Sequence, residues 1–165
     1  MTTERTRTTH WNDPLTTAQA ATGRTGLAFL QGILDGTIPP APIQATLGFD
    51  LVSAEEGVAR FRATPGEHLY NPMNGVHGGV ACTLLDSAMG SAVMTTLDEK
   101  MGYTTVNLSV HLTRAITVKS GVITAEGRVV HKGGRVITAE GRLTDEQGRL
   151  LAHATTTCMV LERNG

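Results

Sequence analysis

The stretch from His77 to Met94 most constrains what this chain can become. Val80, Leu84, Ala88 and Ala92 form one row at helical spacing, and Ala81, Leu85, Met89 and Val93 form the row beside it. A helix with two adjacent apolar rows has no broad polar face and must be largely enclosed by protein. Many of its residues are small, among them Gly78, Gly79, Ala81, Ser87, Ala88, Gly90 and Ser91. Small residues allow a sheet to approach the helix closely.

The segments beyond this helix supply the enclosure. Val106, Leu108, Val110 and Leu112 alternate with Asn107, Ser109, His111 and Thr113, the period of a half-buried strand. Three further strands are predicted over 121–131, 135–143 and 150–161. Lys132-Gly133-Gly134 and the segment 144–148 serve as hairpin turns. Before the buried helix, 49–52 and 58–63 read as two strands joined by a turn at 54–57, and 65–75 reads as a loop. An antiparallel sheet wrapped around one helix is the simplest way to bury that helix, which gives an α+β fold.

The N-terminal part reads differently. Residues 1–14 are polar and Thr-rich, as expected of a mobile arm. Thr16 or Thr17 is placed to cap a helix running to about Asp35, with Leu27, Phe29, Leu30, Ile33 and Leu34 at helical spacing. Gly36 and then Pro39, Pro40 and Pro42 end it, and 43–47 forms one more turn. The expected division is an arm and helix over 1–46 and a sheet-and-helix domain over 47–165.

Composition narrows the function. The chain has 165 residues, 40% of them apolar and 18% charged, with a net charge of −1. That is enough for one core and argues against disorder. It offers no sequence-wide attraction to nucleic-acid phosphates. No apolar run reaches the roughly 18 residues that a membrane helix needs, and the N-terminus lacks the apolar core of a signal peptide. Cys82 and Cys158 each sit in an apolar run and read as core thiols, which fits a reducing, cytoplasmic setting. The histidines show no zinc-like spacing, so no metal is expected.

Asp86 is the one carboxylate inside the buried helix. A charge there must be paired, hydrogen-bonded, neutral or functional. The bland reading is a brace to a neighbouring strand. The helix also starts at a Gly-Gly pair, in the run Asn71-Pro72-Met73-Asn74-Gly75-Val76-His77-Gly78-Gly79. Free N–H groups at a helix start can polarise a carbonyl, and glycine admits a substrate close to the backbone. Gly78 and Asp86 stand roughly 12 Å apart along a helix rising 1.5 Å per residue. One copy cannot easily bring both to one carbonyl, whereas two copies related by a two-fold axis can.

Asn71, His77-Gly78-Gly79 and Leu85-Asp86, with the strand 104–114 and the Gly133-Gly134-Arg135 hairpin, resemble the hotdog-fold acyl-CoA thioesterases of the PaaI-like and 4-hydroxybenzoyl-CoA thioesterase branch. The resemblance spans about Leu47 to Leu161. It implies a hotdog fold, hydrolysis of a CoA thioester to a carboxylic acid and free CoA, and no cofactor beyond the coenzyme A of the substrate. It implies Asp86 as nucleophile or general base and the Gly78 N–H as the carbonyl's polarising donor. Asn71 is then an orienting amide, His77 a supporting residue and Thr104 the hydroxyl beside the acid, with Thr105 as its alternative. Gly79 also falls in this binding motif. Lys132 and Arg135 are candidates for the CoA phosphates, with Arg114 and Arg128 ranked behind them. Met73, Met89, Val93 and the Tyr103 region, with the N-terminal helix, are candidates for the acyl pocket. The resemblance further implies a homodimer at minimum and a dimer-of-dimers tetramer, with no nucleic-acid or membrane partner. A hotdog hydratase or dehydratase and a non-catalytic acyl-CoA-binding module are the competing readings.

Overall fold

The computed structural model describes residues 3–163. Three short helices open the chain: α1 (Pro14–Gln19), α2 (Gly26–Leu34) and α3 (Pro42–Leu47). Strands β1 (Phe49–Glu55) and β2 (Val58–Ala63) come next, and the long helix α4 (Gly78–Met94) after them. The remaining strands are β3 (Met101–Leu112), β4 (Ile123–Lys132), β5 (Val136–Thr144) and β6 (Leu150–Glu162). All six form one antiparallel sheet in the order β1-β2-β4-β5-β6-β3, and α4 lies across its inner face. This is the hotdog arrangement expected from the sequence.

The seat of α4 is built from two glycines. Gly127 on β4 and Gly141 on β5 are directly paired across the sheet. A Cβ on Gly127 would collide with the backbone of Ala88 and Met89, and one on Gly141 would meet Leu85 and Met89 side chains at 3.0 Å. The helix thus rests on bare sheet backbone at its midpoint. Around it Leu84, Leu85, Met89, Ile137, Leu143 and Leu151 are fully buried. Each such side chain contributes on the order of 2 kcal/mol in apolar burial.

The N-terminal part corrects two expectations. The single helix to Asp35 is broken in two. Gly23 adopts a left-handed φ of 68°, which ends the first piece, and the Thr25 hydroxyl accepts from the Ala28 N–H at 3.3 Å to start the second. The arm is also fastened where a mobile one was expected. The Arg7 guanidinium donates to the Thr46 and Ala45 carbonyls at 2.5 and 3.0 Å, satisfying the last turn of α3, and Arg5 pairs with Glu67. Helix α2 docks on the end of α4: the Gly26 N–H donates to the Leu97 carbonyl at 3.0 Å.

Candidate active site

The site begins with the start of α4. His77 has extended backbone, and its Nδ1 accepts the Gly79 N–H at 3.0 Å, so the ring caps the helix. The neutral ring then carries its proton on Nε2. The His77 N–H donates to the Leu69 carbonyl at 2.8 Å and the Val80 N–H to the His77 carbonyl at 2.9 Å. Among the described residues the Gly78 N–H meets no acceptor. The Gly79 and Val80 donors beside it are occupied, and the Gly78 N–H is left over at a helix N-terminus.

The loop before it is held by Asn71. The Asn71 side-chain oxygen accepts the Met73 and Gly75 N–H groups at 2.9 and 3.4 Å, while its backbone N–H donates to the Gly75 carbonyl at 2.7 Å. Asn74 takes a left-handed φ of 60° to complete the turn. Asn71, Met73, Gly78 and Arg114 line one cleft of about 360 Å³.

Asp86 lies two turns further along α4. Its Oδ1 accepts the Thr105 hydroxyl at 3.0 Å, and its Oδ2 has no partner among the described residues. Behind Thr105, the Cys158 Sγ lies 4.0 Å from the Thr105 Oγ1. Burial pushes this thiol's pKa up, against the opposing pull of its Thr105 and Thr156 contacts and with a smaller push from the Asp86 carboxylate. Asp86 borders a second cavity of about 240 Å³, separate from the first, whose apolar lining includes Phe29, Phe49, Phe61, Met94 and Tyr103. Burial raises the Tyr103 pKa well above its ordinary value, with smaller contributions from Cys158 and Asp86, and keeps the phenol neutral.

Thr105, rather than Thr104, reaches the acid. Thr104 is exposed on the outer face. The cause is a β-bulge: Thr105 pairs with Cys158 and Asn107 with Thr157, leaving Val106 as the extra residue, 53% exposed. The alternation expected from Val106 onward places even positions inward. The bulge reverses that parity at the site itself, so Tyr103 and Thr105 face α4.

Other expected residues separate. Met89 is fully buried beneath the sheet glycines and Val93 is fully buried in the core. Met94, one residue beyond the expected set, takes the place at the cavity wall. Lys132 donates to the Thr96 carbonyl at 2.6 Å, beyond the C-terminal end of α4, and Arg135 lies in the adjoining turn. Within one chain both are at the far end of the helix from Gly78. Arg128 pairs with Glu126 at 3.4 Å on the outer sheet face. Of the four cations, Arg114 alone lines the Gly78 cleft. The described residues contain no cluster suited to a metal ion, and no helix long and apolar enough to cross a membrane.

Residues 73–152 match the model of the thioesterase superfamily. That match spans just under half of the chain, from the loop before α4 into β6. A 1,4-dihydroxy-2-naphthoyl-CoA hydrolase of Listeria monocytogenes serotype 1/2a (strain 10403S) is 28% identical over 93 residues, covering 55% of this chain and 72% of that protein. Among solved structures, a putative thioesterase related to phenylacetic acid degradation from Ralstonia eutropha JMP134 superposes with a TM-score of 0.71 at 27% identity, over 78% of this chain and 97% of that one. A Streptococcus mutans UA159 protein bound to acetyl CoA superposes with a TM-score of 0.64 at 24% identity, over 71% of this chain and 91% of its own. The family match begins at Met73, so it contains the whole of α4 and excludes α1 to α3.

Proposed function

We propose that this chain hydrolyses acyl-CoA esters at a site completed by two copies of itself. The observation that carries this reading is the free Gly78 N–H, left over beside the paired donors of Gly79 and Val80. A backbone donor at a helix N-terminus suits the oxygen of a thioester carbonyl, where negative charge builds as the carbon is attacked. Asp86 provides the other half: one carboxylate oxygen is held by Thr105 and the other is open. The two halves lie in different cavities and roughly 12 Å apart along the helix axis. An isologous dimer with antiparallel α4 helices would bring Gly78 of one copy to Asp86 of the other. A dimer of such dimers is the proposed assembly, and the cytoplasm its proposed setting.

In the proposed reaction the carbonyl oxygen accepts from the Gly78 N–H. Asp86 then either attacks the carbonyl carbon or removes a proton from an attacking water. A C–O bond forms, the C–S bond breaks, and CoA leaves as a thiolate that gains a proton. Direct attack gives an acyl-aspartyl anhydride that water then opens. The Asn71 carboxamide helps to orient the thioester or the water, and the Arg114 guanidinium, exposed at the Gly78 cleft, is the group placed for CoA phosphate. The Listeria relative is named for hydrolysis of a CoA ester, and the Streptococcus mutans structure holds acetyl CoA, which supports the substrate class.

Free thiol released from a panel of acyl-CoA esters tests this directly. Release that disappears in Asp86→Asn, with folding retained, is the expected result. Tight acyl-CoA binding with no release from any ester would make the protein a binding module instead. Loss of enoyl absorbance without thiol release would make it a hydratase. Single-turnover hydrolysis in heavy-oxygen water separates the two roles of Asp86, because direct attack transfers a label through the carboxylate.

A further inference from the structure

The cavity beside Asp86 has a wall in common with a larger one. Phe29, Met94 and Tyr103 line both. On the Asp86 side the space is about 240 Å³. All three phenylalanines of the chain and Tyr103 border it. On the far side the space is about 870 Å³ and is bordered by Asp98, Glu99, Lys100, Glu162 and Arg163. Three side chains therefore divide a small chamber beside Asp86 from a much wider cleft.

We propose that Phe29, Met94 and Tyr103 form a partition that sets the acyl length this site accepts, confining it to compact acyl groups. The proposal rests on the acyl-CoA hydrolase reading of the site. Two members are firmly seated. The Tyr103 ring lies against Gly90, where a Cβ would have no room. Phe29 is buried on α2, whose Gly26 is packed against the Met94 backbone and tied to the Leu97 carbonyl at 3.0 Å. The Met94 side chain, unbranched and adaptable, is the member through which the wall gives way. A compact acyl group fits within the chamber against Phe29, Phe49, Phe61 and Met94. A long alkyl chain outgrows the chamber of about 240 Å³ and must displace the wall to go further.

The partition makes α2 a determinant of specificity, although it lies outside the segment that matches the family model. The test is a chain-length series from butyryl-CoA through octanoyl-CoA to palmitoyl-CoA, run on the full-length protein. Wild type is expected to favour the short end. Met94→Ala and Phe29→Ala should each raise the kcat/KM ratio of palmitoyl over butyryl ester by about tenfold or more, the scale on which an apolar pocket discriminates chain length. Tyr103→Phe keeps the ring in place and should leave that ratio within about twofold. Calorimetric binding of butyrate and palmitate reads the same wall without turnover. Ratios unmoved in folded Met94→Ala, by both hydrolysis and binding, overturn the partition. If wild type hydrolyses no ester, the hydrolase reading fails, and the acid-binding series alone decides the partition. Met94 is only partly buried, so its variant remains informative even if Phe29→Ala does not fold.

Discussion

The two ends of the proposed reaction are built from different material. At the start of α4 the chemistry belongs to the main chain: a Gly78 N–H left free by a histidine cap and a tightly bonded loop. Midway along the same helix it belongs to side chains: the Asp86 carboxylate, the Thr105 hydroxyl and an apolar wall. The first half depends on geometry that almost any residue could supply, so side-chain identity reveals it poorly. The second depends on one functional group and is exposed to every substitution of it. One rigid helix carries both and keeps them too far apart to meet within a single copy.

This contrast can be broken most severely on the side-chain half. Asp86→Asn should lower kcat by about a thousandfold or more, on the scale of losing a general base or nucleophile, with circular dichroism unchanged. The main-chain half needs a different tool. Gly78→Pro deletes the N–H alone, because proline suits the first position of a helix and the extended His77 suits the residue before it. A Cβ at Gly78 meets only the tip of Leu112, at 2.7 Å, which can move aside. The kcat should fall by about a hundredfold, as when one oxyanion donor is removed. Retained activity in a folded Gly78→Pro protein would reject this donor.

Smaller effects sharpen the comparison. Thr105→Val removes a hydrogen bond to a charged group, which contributes about 1.5–3 kcal/mol. It should lower kcat by about tenfold, while Thr104→Val on the outer face should change it by less than about twofold. Equal effects at the two threonines would mean that the bulge is misplaced. His77→Ala should cost about 1 kcal/mol of stability through the lost cap, read as a lower melting temperature. An activity loss far beyond that loss of stability would give the imidazole a chemical role of its own.

Much of this architecture is legible in the chain. The doubled apolar rows of α4 and the period-two strands after it can be enclosed in few other ways, and the Gly-Gly pair marks where the helix starts. Asp86 stands out because a lone carboxylate in that setting needs an explanation. The features that escape do so for local reasons. The Val106 bulge inverts strand parity within two residues of Thr104, and no periodicity shows a bulge in advance. Met89 and Met94 differ in which side of α4 meets the sheet, which depends on the glycine seat. The break at Gly23 is a turn signal outweighed by the longer apolar pattern of 27–34. Lys132 reads as a cation for phosphate, yet its reach to the Thr96 carbonyl depends on where the β4–β5 turn lands.

The glycine pair under α4 has a consequence for how such a chain can diversify. Gly127 and Gly141 act as a detent: with Ala88 and Met89 seated in the notch, the helix has no room to slide along its axis or to ride up on a larger side chain. Change in the middle of the molecule is therefore punished as misfolding before it can be sampled as altered activity. The short helices in front of β1 are pinned at one point, where Gly26 packs on the Met94 backbone, and their side chains reach the chamber from outside the sheet. A lineage, or an engineer, seeking a new acyl group would find its freedom in those side chains, which rewrite selectivity while the reactive centre stays frozen.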